Sequence, residues 1–355
     1  MSENLRKLIS SVSSTVENSF SPELDLQKIL RSFTEKNNSP ATRRTYAAHL
    51  KEFFSFARAT NGAEALRITS DAVVNWREAM ICKGNKPATV RTKLAAVRSF
   101  YEHLKHLGLI RNNPASVYLV PPPGTGDDPT GRALDSAQVR LLLELPRRET
   151  TRGAMDYALM LLMLRTFLRV SEAVSLRETD FFYRRNSWFL RVKIKGGEIK
   201  NVPVPIDVKK AIDDYHFLDR RHRSLIKWAD KDGKFVFTPS MEKITRHDAT
   251  ANVHLTSRHV WHLVRGYGQK LFAGEMIKLK KENPSTGEQA LQKAFRLTPH
   301  DFRRTAITRA LDLGESYRRV MNASRHRSIS SIQRYDLHRQ SIEENSILSL
   351  HYDED

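Results

Sequence analysis

Cysteine is nearly absent from this chain: Cys82 is the only one. That count excludes an internal disulfide and any multi-cysteine metal site, and it suits a reducing, cytoplasmic setting. Long apolar runs are missing too. The longest, Ala158 to Leu164, falls short of the roughly 18 residues of a membrane span and stops at Arg165. The opening residues, Met1-Ser2-Glu3-Asn4-Leu5, lack the charged-then-apolar layout of a secretory signal. No phosphate-binding glycine loop stands out, and metal ligands are not clustered. His259 and His262 sit three apart on an expected helix, but no third ligand is in view, so groove contact or packing fits them better. The expectation is a protein without metal, cofactor or membrane. Acidic residues are the last shortage. The 40 Asp and Glu face 59 Lys and Arg, for a net charge of +19. Solubility alone does not require that excess, and it points to a polyanionic partner.

With 355 residues the chain can form two domains with real cores. Residues 1–21 are Ser-rich and weakly periodic, a flexible lead. Helical patterning follows over 22–120. Ser39 can cap a helix that starts at Pro40, with Tyr46, Leu50, Phe53, Phe54 and Ala57 on one stripe and Asn61-Gly62 as its stop. Thr69 or Ser70 caps a shorter helix, and Pro87 opens a third that Gly108 ends. Arg44, Lys51 and Arg58 recur every seven residues on the first of these, and Arg91, Arg98 and Lys105 do so on the third. Seven residues make about two helical turns, so each trio forms a row of cations suited to phosphates across a groove. A solvated helix face is the plainer account of one row alone, but two such rows in one small basic domain favour contact with DNA. Pro121 to Pro129 has the Pro, Gly and Asp content of a linker, which puts a boundary at 121–132.

The second domain, 133–355, reads as mostly helical with one small antiparallel sheet. Asp135 or Ser136 caps its first helix. Residues 154–168 are apolar nearly all round, as in a buried central helix. Residues 188–194 alternate as a strand, Gly196-Gly197 marks a turn, and 199–204 is the return strand. Helices follow at about 206–217, 255–270, 300–313 and 316–323. Residues 276–296, rich in Lys, Glu and Gln, read as a polar excursion or insertion.

Four segments carry groups suited to phosphate chemistry. Arg169 follows the buried helix, with Glu172 three residues on; a plain buried ion pair would explain them. Lys195 sits at the hairpin tip, where it could protonate a leaving alkoxide or simply be solvated. His300 and Arg303 share a helix face near a helix start. His326 precedes Tyr335 by nine positions. An arginine grips phosphate with two parallel hydrogen bonds, a histidine moves protons near neutrality, and a tyrosine can be a covalent nucleophile.

The order Arg, Lys, His-x-x-Arg, His, Tyr is far more specific than any of its members. In Leu168-Arg169-Val170-Ser171-Glu172, in Lys195-Gly196-Gly197 through Pro203, in Leu297-Thr298-Pro299-His300-Asp301-Phe302-Arg303, and in His326 through Tyr335, the chain resembles the tyrosine recombinases, or phage-integrase family. The resemblance covers the second domain in order and extends to the first, which looks like the family's helical, SAM-like core-binding domain. It implies a two-domain clamp on duplex DNA and site-specific strand exchange without metal or nucleotide. Tyr335 would attack the scissile phosphate to form a 3′-phosphotyrosyl bond. Arg169 and Arg303 would hold the non-bridging oxygens, Lys195 would protonate the departing 5′-hydroxyl, His300 would assist proton removal from Tyr335, and His326 would hydrogen-bond the phosphate. Glu172 matches an acidic position that supports the pocket. The implied assembly is a homotetramer on two synapsed sites, in the cytoplasm, with a bacterial, archaeal, phage or mobile-element origin.

The chain departs from the family pattern in places. Phe167 stands where the family has Gly before the first arginine's Leu. Ser324-Arg325 stands where it has Leu-Gly before the second histidine. Lys193 and Lys200 compete with Lys195 for its role. Residues 341–350 form a partly apolar tail that either docks on the next protomer or folds back on its own domain. A catalytically silent DNA-binding protein of the same fold is the alternative from another class. A type IB topoisomerase or a telomere resolvase would use the same tyrosine chemistry.

Overall fold

A computed structural model describes residues 25–35, 39–124, 131–194, 197–219, 233–239, 254–283 and 287–336. The expected lead over 1–21 and the tail over 341–350 lie outside the described residues. The chain divides into two compact units, Met1–Asp127 and Asp128–Asp355.

The first unit is helical, with helices Leu26–Glu35, Pro40–Phe56, Gly62–Leu66, Ser70–Cys82 and Pro87–His106. Ser39 caps the second of these by accepting from the Thr42 N–H, and Pro40 fills a first-turn position that needs no N–H donor. The core is aromatic. Phe100 meets Phe33 and Phe54 edge-on at 5.5 and 5.4 Å, and the buried Tyr101 hydroxyl donates to the Ala65 carbonyl at 2.9 Å. Asn61 does not stop the Pro40 helix. That helix ends at Phe56, Arg58 turns left-handed at φ 54°, and Asn61 caps the next helix by accepting from the Glu64 N–H at 2.9 Å. A short amide serves an N-cap as well as a helix stop, so its position in the chain leaves both roles open.

The second unit is built on the helix Thr151–Thr166, buried nearly all round. Gly153 lets its start come close to the preceding turn; a Cβ there would sit 1.9 Å from the Arg147 carbonyl oxygen. Helix Ser136–Glu144 begins with a reciprocal cap between Asp135 and Gln138. The sheet has three antiparallel strands in the order β1 (Phe181–Arg184), β2 (Ser187–Lys193) and β3 (Ile199–Val204). Its β2–β3 register pairs Leu190 with Val202, and Leu190, Val192, Val202 and Val204 enter the core. Helix Ile206–Leu218 packs against Thr151–Thr166. Most of the described part of the polar stretch 276–296 lies in two helices, Ala273–Glu282 and Glu288–Ala294, because Lys, Glu, Gln and Ala are strong helix formers even without an apolar stripe. Helices Pro299–Asp312, Tyr317–Ser324 and Ile329–Gln333 complete the described part. Among the described residues, no helix is long and apolar enough to cross a membrane.

Candidate active site

Helix ends position most of the candidate groups. The central helix stops where Phe167 turns left-handed at φ 54°, and Arg169 then caps the helix Val170–Val174. Glu172, 4% exposed, accepts from the Arg169 backbone N–H and from its guanidinium, both at 2.9 Å. Arg325 donates to the same carboxylate at 3.0 Å. Burial works against ionisation of Glu172. The Arg169 N–H and the charges of Arg325 and Arg169 outweigh it and hold the carboxyl below its usual range.

The helix Pro299–Asp312 is fixed at its start by Asp301. That carboxylate accepts from the Thr298 N–H and hydroxyl at 2.7 Å each and from the Arg132 N–H at 3.0 Å. His300 is open to solvent there, whereas Arg303 is 1% exposed. Arg303 donates to the carbonyls of Phe167 and Ser324. Burial, then the charges of Arg169 and Arg325, push its guanidinium down to about 10, so it stays charged at neutral pH. Partial desolvation by its neighbours, then the charge of Arg303, also lower His300.

Helix Tyr317–Ser324 closes on Arg325 in the left-handed region, and the His326 N–H returns to the Met321 carbonyl at 3.1 Å. His326 Nδ1 lies 2.7 Å from the Ser324 hydroxyl. Burial first and Arg303 next push the imidazole down to about 4, so it is neutral at neutral pH. Its ring centre is 5.7 Å from that of Tyr335. Tyr335 is buried with Ile307, Val320 and Ile332, the Thr308 hydroxyl donates to its carbonyl at 3.0 Å, and the Arg304 guanidinium lies 5.2 Å from its ring centre.

These groups form one electrostatic cluster. Arg303 interacts with Arg169, Arg325, Glu172 and Tyr335, and His326 with Arg303, Arg169, His300 and Arg325. Three guanidiniums face the one carboxylate of Glu172, which leaves a positive pocket suited to an anion. Lys195 lies outside the described residues. The base of its turn is closed by bonds from the Ile194 N–H to Glu198 and from the Gly197 N–H to Ile194, at 2.8 and 3.0 Å. Ser324, Thr308 and Arg304 were not legible as site residues, since a serine, a threonine and a second arginine beside the motif carry no spacing signal of their own.

The cationic rows of the first unit fare unevenly. Arg44, Lys51, Arg91 and Lys105 are exposed on their helices, and Arg91 reaches the Pro123 carbonyl at 3.3 Å. Arg58 is exposed but lies beyond its helix. Arg98 turns inward: its Nε and terminal nitrogen donate to the carbonyls of Ala115 and Val120 at 2.8 and 3.1 Å, and burial lowers its pKa. The second row is therefore interrupted at its centre.

The model of the phage integrase family matches residues 132–341, and that of the phage integrase N-terminal SAM-like domain matches residues 31–108. A tyrosine recombinase of Synechococcus elongatus is 28% identical over 335 residues, covering 89% of this chain and 90% of the relative. Tyrosine recombinase XerC of Pelobacter propionicus is 28% identical over 303 residues, covering 85% and 86%. Among solved structures, the Tn1549 transposon integrase in complex with transposon right end DNA has a TM-score of 0.59 at 14% identity, covering 87% of this chain and 95% of that one. XerH site-specific recombinase bound to a palindromic difH substrate also has a TM-score of 0.59, at 16% identity, with 93% and 90% covered.

Proposed function

The chain belongs to the phage integrase family, and from that premise we propose how its residues cut and rejoin DNA strands at specific sites. The observation that carries the proposal is the convergence of Arg169, Arg303, His300, His326 and Tyr335 in one positive cluster with Glu172. Arg169, partly exposed, and Arg303 bind the two non-bridging oxygens of a scissile phosphate and stabilise the extra charge of the five-coordinate state. Arg303 is covered in this structure. A phosphate reaches it as the Ser324 carbonyl gives way, the Phe167 carbonyl staying in place.

A free tyrosine ionises only near ~10, so Tyr335 needs a base. His300, held neutral and open to solvent, takes its proton. The Tyr335 oxygen then bonds to phosphorus as the P–O5′ bond breaks, and Lys195 protonates the departing 5′-hydroxyl. His326 is neutral. To donate from Nε2 to the phosphate its Nδ1 must accept, so the Ser324 hydroxyl donates to Nδ1. A 5′-hydroxyl of a partner strand reverses these steps and frees Tyr335. Each transesterification makes one phosphodiester for the one it breaks, so the balance calls for no energy source.

Double-stranded DNA is the substrate, and solved recombinases of similar fold are complexes with DNA. Arg44, Lys51, Arg58, Arg91 and Lys105 add phosphate contacts in the first unit, and the active assembly is a homotetramer on paired sites. A DNA substrate and bacterial relatives suit a cytoplasmic place of action.

The test is to incubate the protein with a pool of nicked duplexes of randomised sequence, each of which loses a short fragment on cleavage. DNA that survives denaturation bound to protein is recovered and sequenced, and this also reveals the target. The wild type is expected to retain a defined sequence covalently, and Tyr335→Phe to retain none. No adduct in the wild type, or an adduct in Tyr335→Phe, overturns the assignment.

A further inference from the structure

Arg325 has no part in these steps, yet it is kept in place at a cost. Its backbone is left-handed, with φ 61° and ψ 39°, a conformation that strains any residue with a Cβ. Its Nε is buried and has no hydrogen-bond partner among the described residues. Its side chain is 4% exposed, and one terminal nitrogen donates to the Ala323 carbonyl at 3.1 Å. It is therefore not presented to an incoming phosphate.

The other terminal nitrogen shows what the residue does. It donates at 3.0 Å to Glu172 Oε2 and at 3.0 Å to the Phe167 carbonyl. Glu172 is the carboxylate that holds Arg169, and the Phe167 carbonyl is an acceptor of Arg303. One nitrogen thus ties together the two acceptors that orient the two arginines. Phe167 is itself left-handed, at φ 54°. The two positions at which this chain departs from glycine therefore meet, and the contact between them is made by Arg325.

We propose that Arg325 is a positioning residue that clamps Glu172 to the Phe167 carbonyl, so that Arg169 and Arg303 face one phosphate in fixed register. This rests on the reading of Arg169 and Arg303 given above. A glycine would relieve the backbone but leave the two acceptors untied. A lysine would keep the charge but lacks the planar fork that serves Glu172, Phe167 and Ala323 together.

The experiment measures single-turnover cleavage of a nicked duplex recovered in the selection above, using full-length protein over a range of concentrations. Arg325→Gly is expected to slow cleavage at saturation by roughly 10–100-fold, as small misplacements of binding groups do, and to change the half-saturating concentration by less than about 3-fold. In an Arg169→Ala background the slowing caused by Arg325→Gly should shrink at least about 3-fold, because part of its effect acts through Arg169. An undiminished slowing in that background, a half-saturation that rises as much as the rate falls, or no slowing in the wild-type background overturns the proposal. If Arg325→Gly does not fold, Arg325→Lys decides: it should cleave at least about 3-fold more slowly at an unchanged melting temperature, and wild-type speed overturns the proposal. Failure of the wild type itself to form an adduct counts against the parent reading; adduct in the wild type with any of the contrary outcomes counts against Arg325 alone.

Discussion

The two units bury different things. The first buries rings among its aliphatic side chains: Phe33, Phe53, Phe54, Trp76, Phe100 and Tyr101 lie in its core, and among its described residues the buried polar side chain is Asn113, which donates to the Arg98 carbonyl at 3.0 Å. The second has a mostly aliphatic core around the central helix, and beside it a set of buried charges at the candidate site: Glu172, Arg303 and Arg304. Buried rings stabilise by leaving water. Buried charges lose hydration that their partners only partly restore. Like charges among Arg169, Arg303 and Arg325 add to that loss. Stability therefore accounts for the first set, and the second makes sense as machinery held by its surroundings.

That contrast predicts opposite outcomes for two substitutions. Phe100→Ala removes a fully buried ring and should cost about 3–5 kcal/mol of stability. In hydrogen exchange it should deprotect peptides from 87–106, and a loss under about 1 kcal/mol would mean that the aromatic core is not what holds this unit. Arg303→Met should do the reverse. It removes a cation that burial and two neighbouring arginines disfavour, so urea unfolding should be unchanged or shifted to higher concentration. Cleavage of the nicked duplex should fall by roughly 10²–10³-fold. If Arg303→Met unfolds as readily as Phe100→Ala, the buried charge is a structural support and the contrast between the units fails.

The contrast also explains what the chain disclosed before its structure was known. Three helices of the first unit, the buried central helix and the β2–β3 hairpin were legible because apolar period and end signals such as Ser39-Pro40 and Pro87 are local, whereas Leu26–Glu35 and Gly62–Leu66 were not placed. β1 was not. Its Phe181-Phe182-Tyr183-Arg184 has no clean alternation, and it reaches β2 through Arg185 and Asn186, both at positive φ, without the glycine that marks such turns. Arg98 fitted the spacing of a surface row, but spacing does not tell which way a long side chain turns. At the site, Arg169, Glu172, His300, Arg303, His326 and Tyr335 were legible as an ordered set. Ser324 and Arg325 were visible only as departures from a pattern, because Arg325 reaches Phe167 and Glu172, and the Ser324 carbonyl meets Arg303, all distant in the chain.

Ser324 offers a smaller test of the second unit. Its hydroxyl faces His326 Nδ1 at 2.7 Å, and its carbonyl accepts from Arg303. Ser324→Ala removes only the hydroxyl. The loss of one hydrogen bond, about 1 kcal/mol, corresponds to roughly 5-fold slower cleavage through a poorly fixed imidazole. Ser324→Thr retains the hydroxyl and should recover part of the rate. Equal rates for Ser324→Ala and the wild type would show that the imidazole is oriented without it.

The smallest effect expected is a dependence of stability on pH. His326 in the folded protein titrates near about 4, below its ordinary value of 6.5. As pH falls through 6.5 the unfolded chain takes up this proton first, so the stability contributed above that pH is progressively lost down to about 4. His300 is lowered too and acts in the same direction. Asp156 acts in the opposite one. Burial raises it from 3.8 to about 6, so the folded state binds its proton first and gains stability as pH falls through that range. The net slope of the whole protein is thus a difference, and only a variant isolates the imidazole. Between pH 7 and pH 5, His326→Gln should lose less stability in urea unfolding than the wild type. Equal losses would mean that His326 is as easily protonated folded as unfolded, and that the neutral ring required for donation from Nε2 is not enforced by burial and the arginines around it.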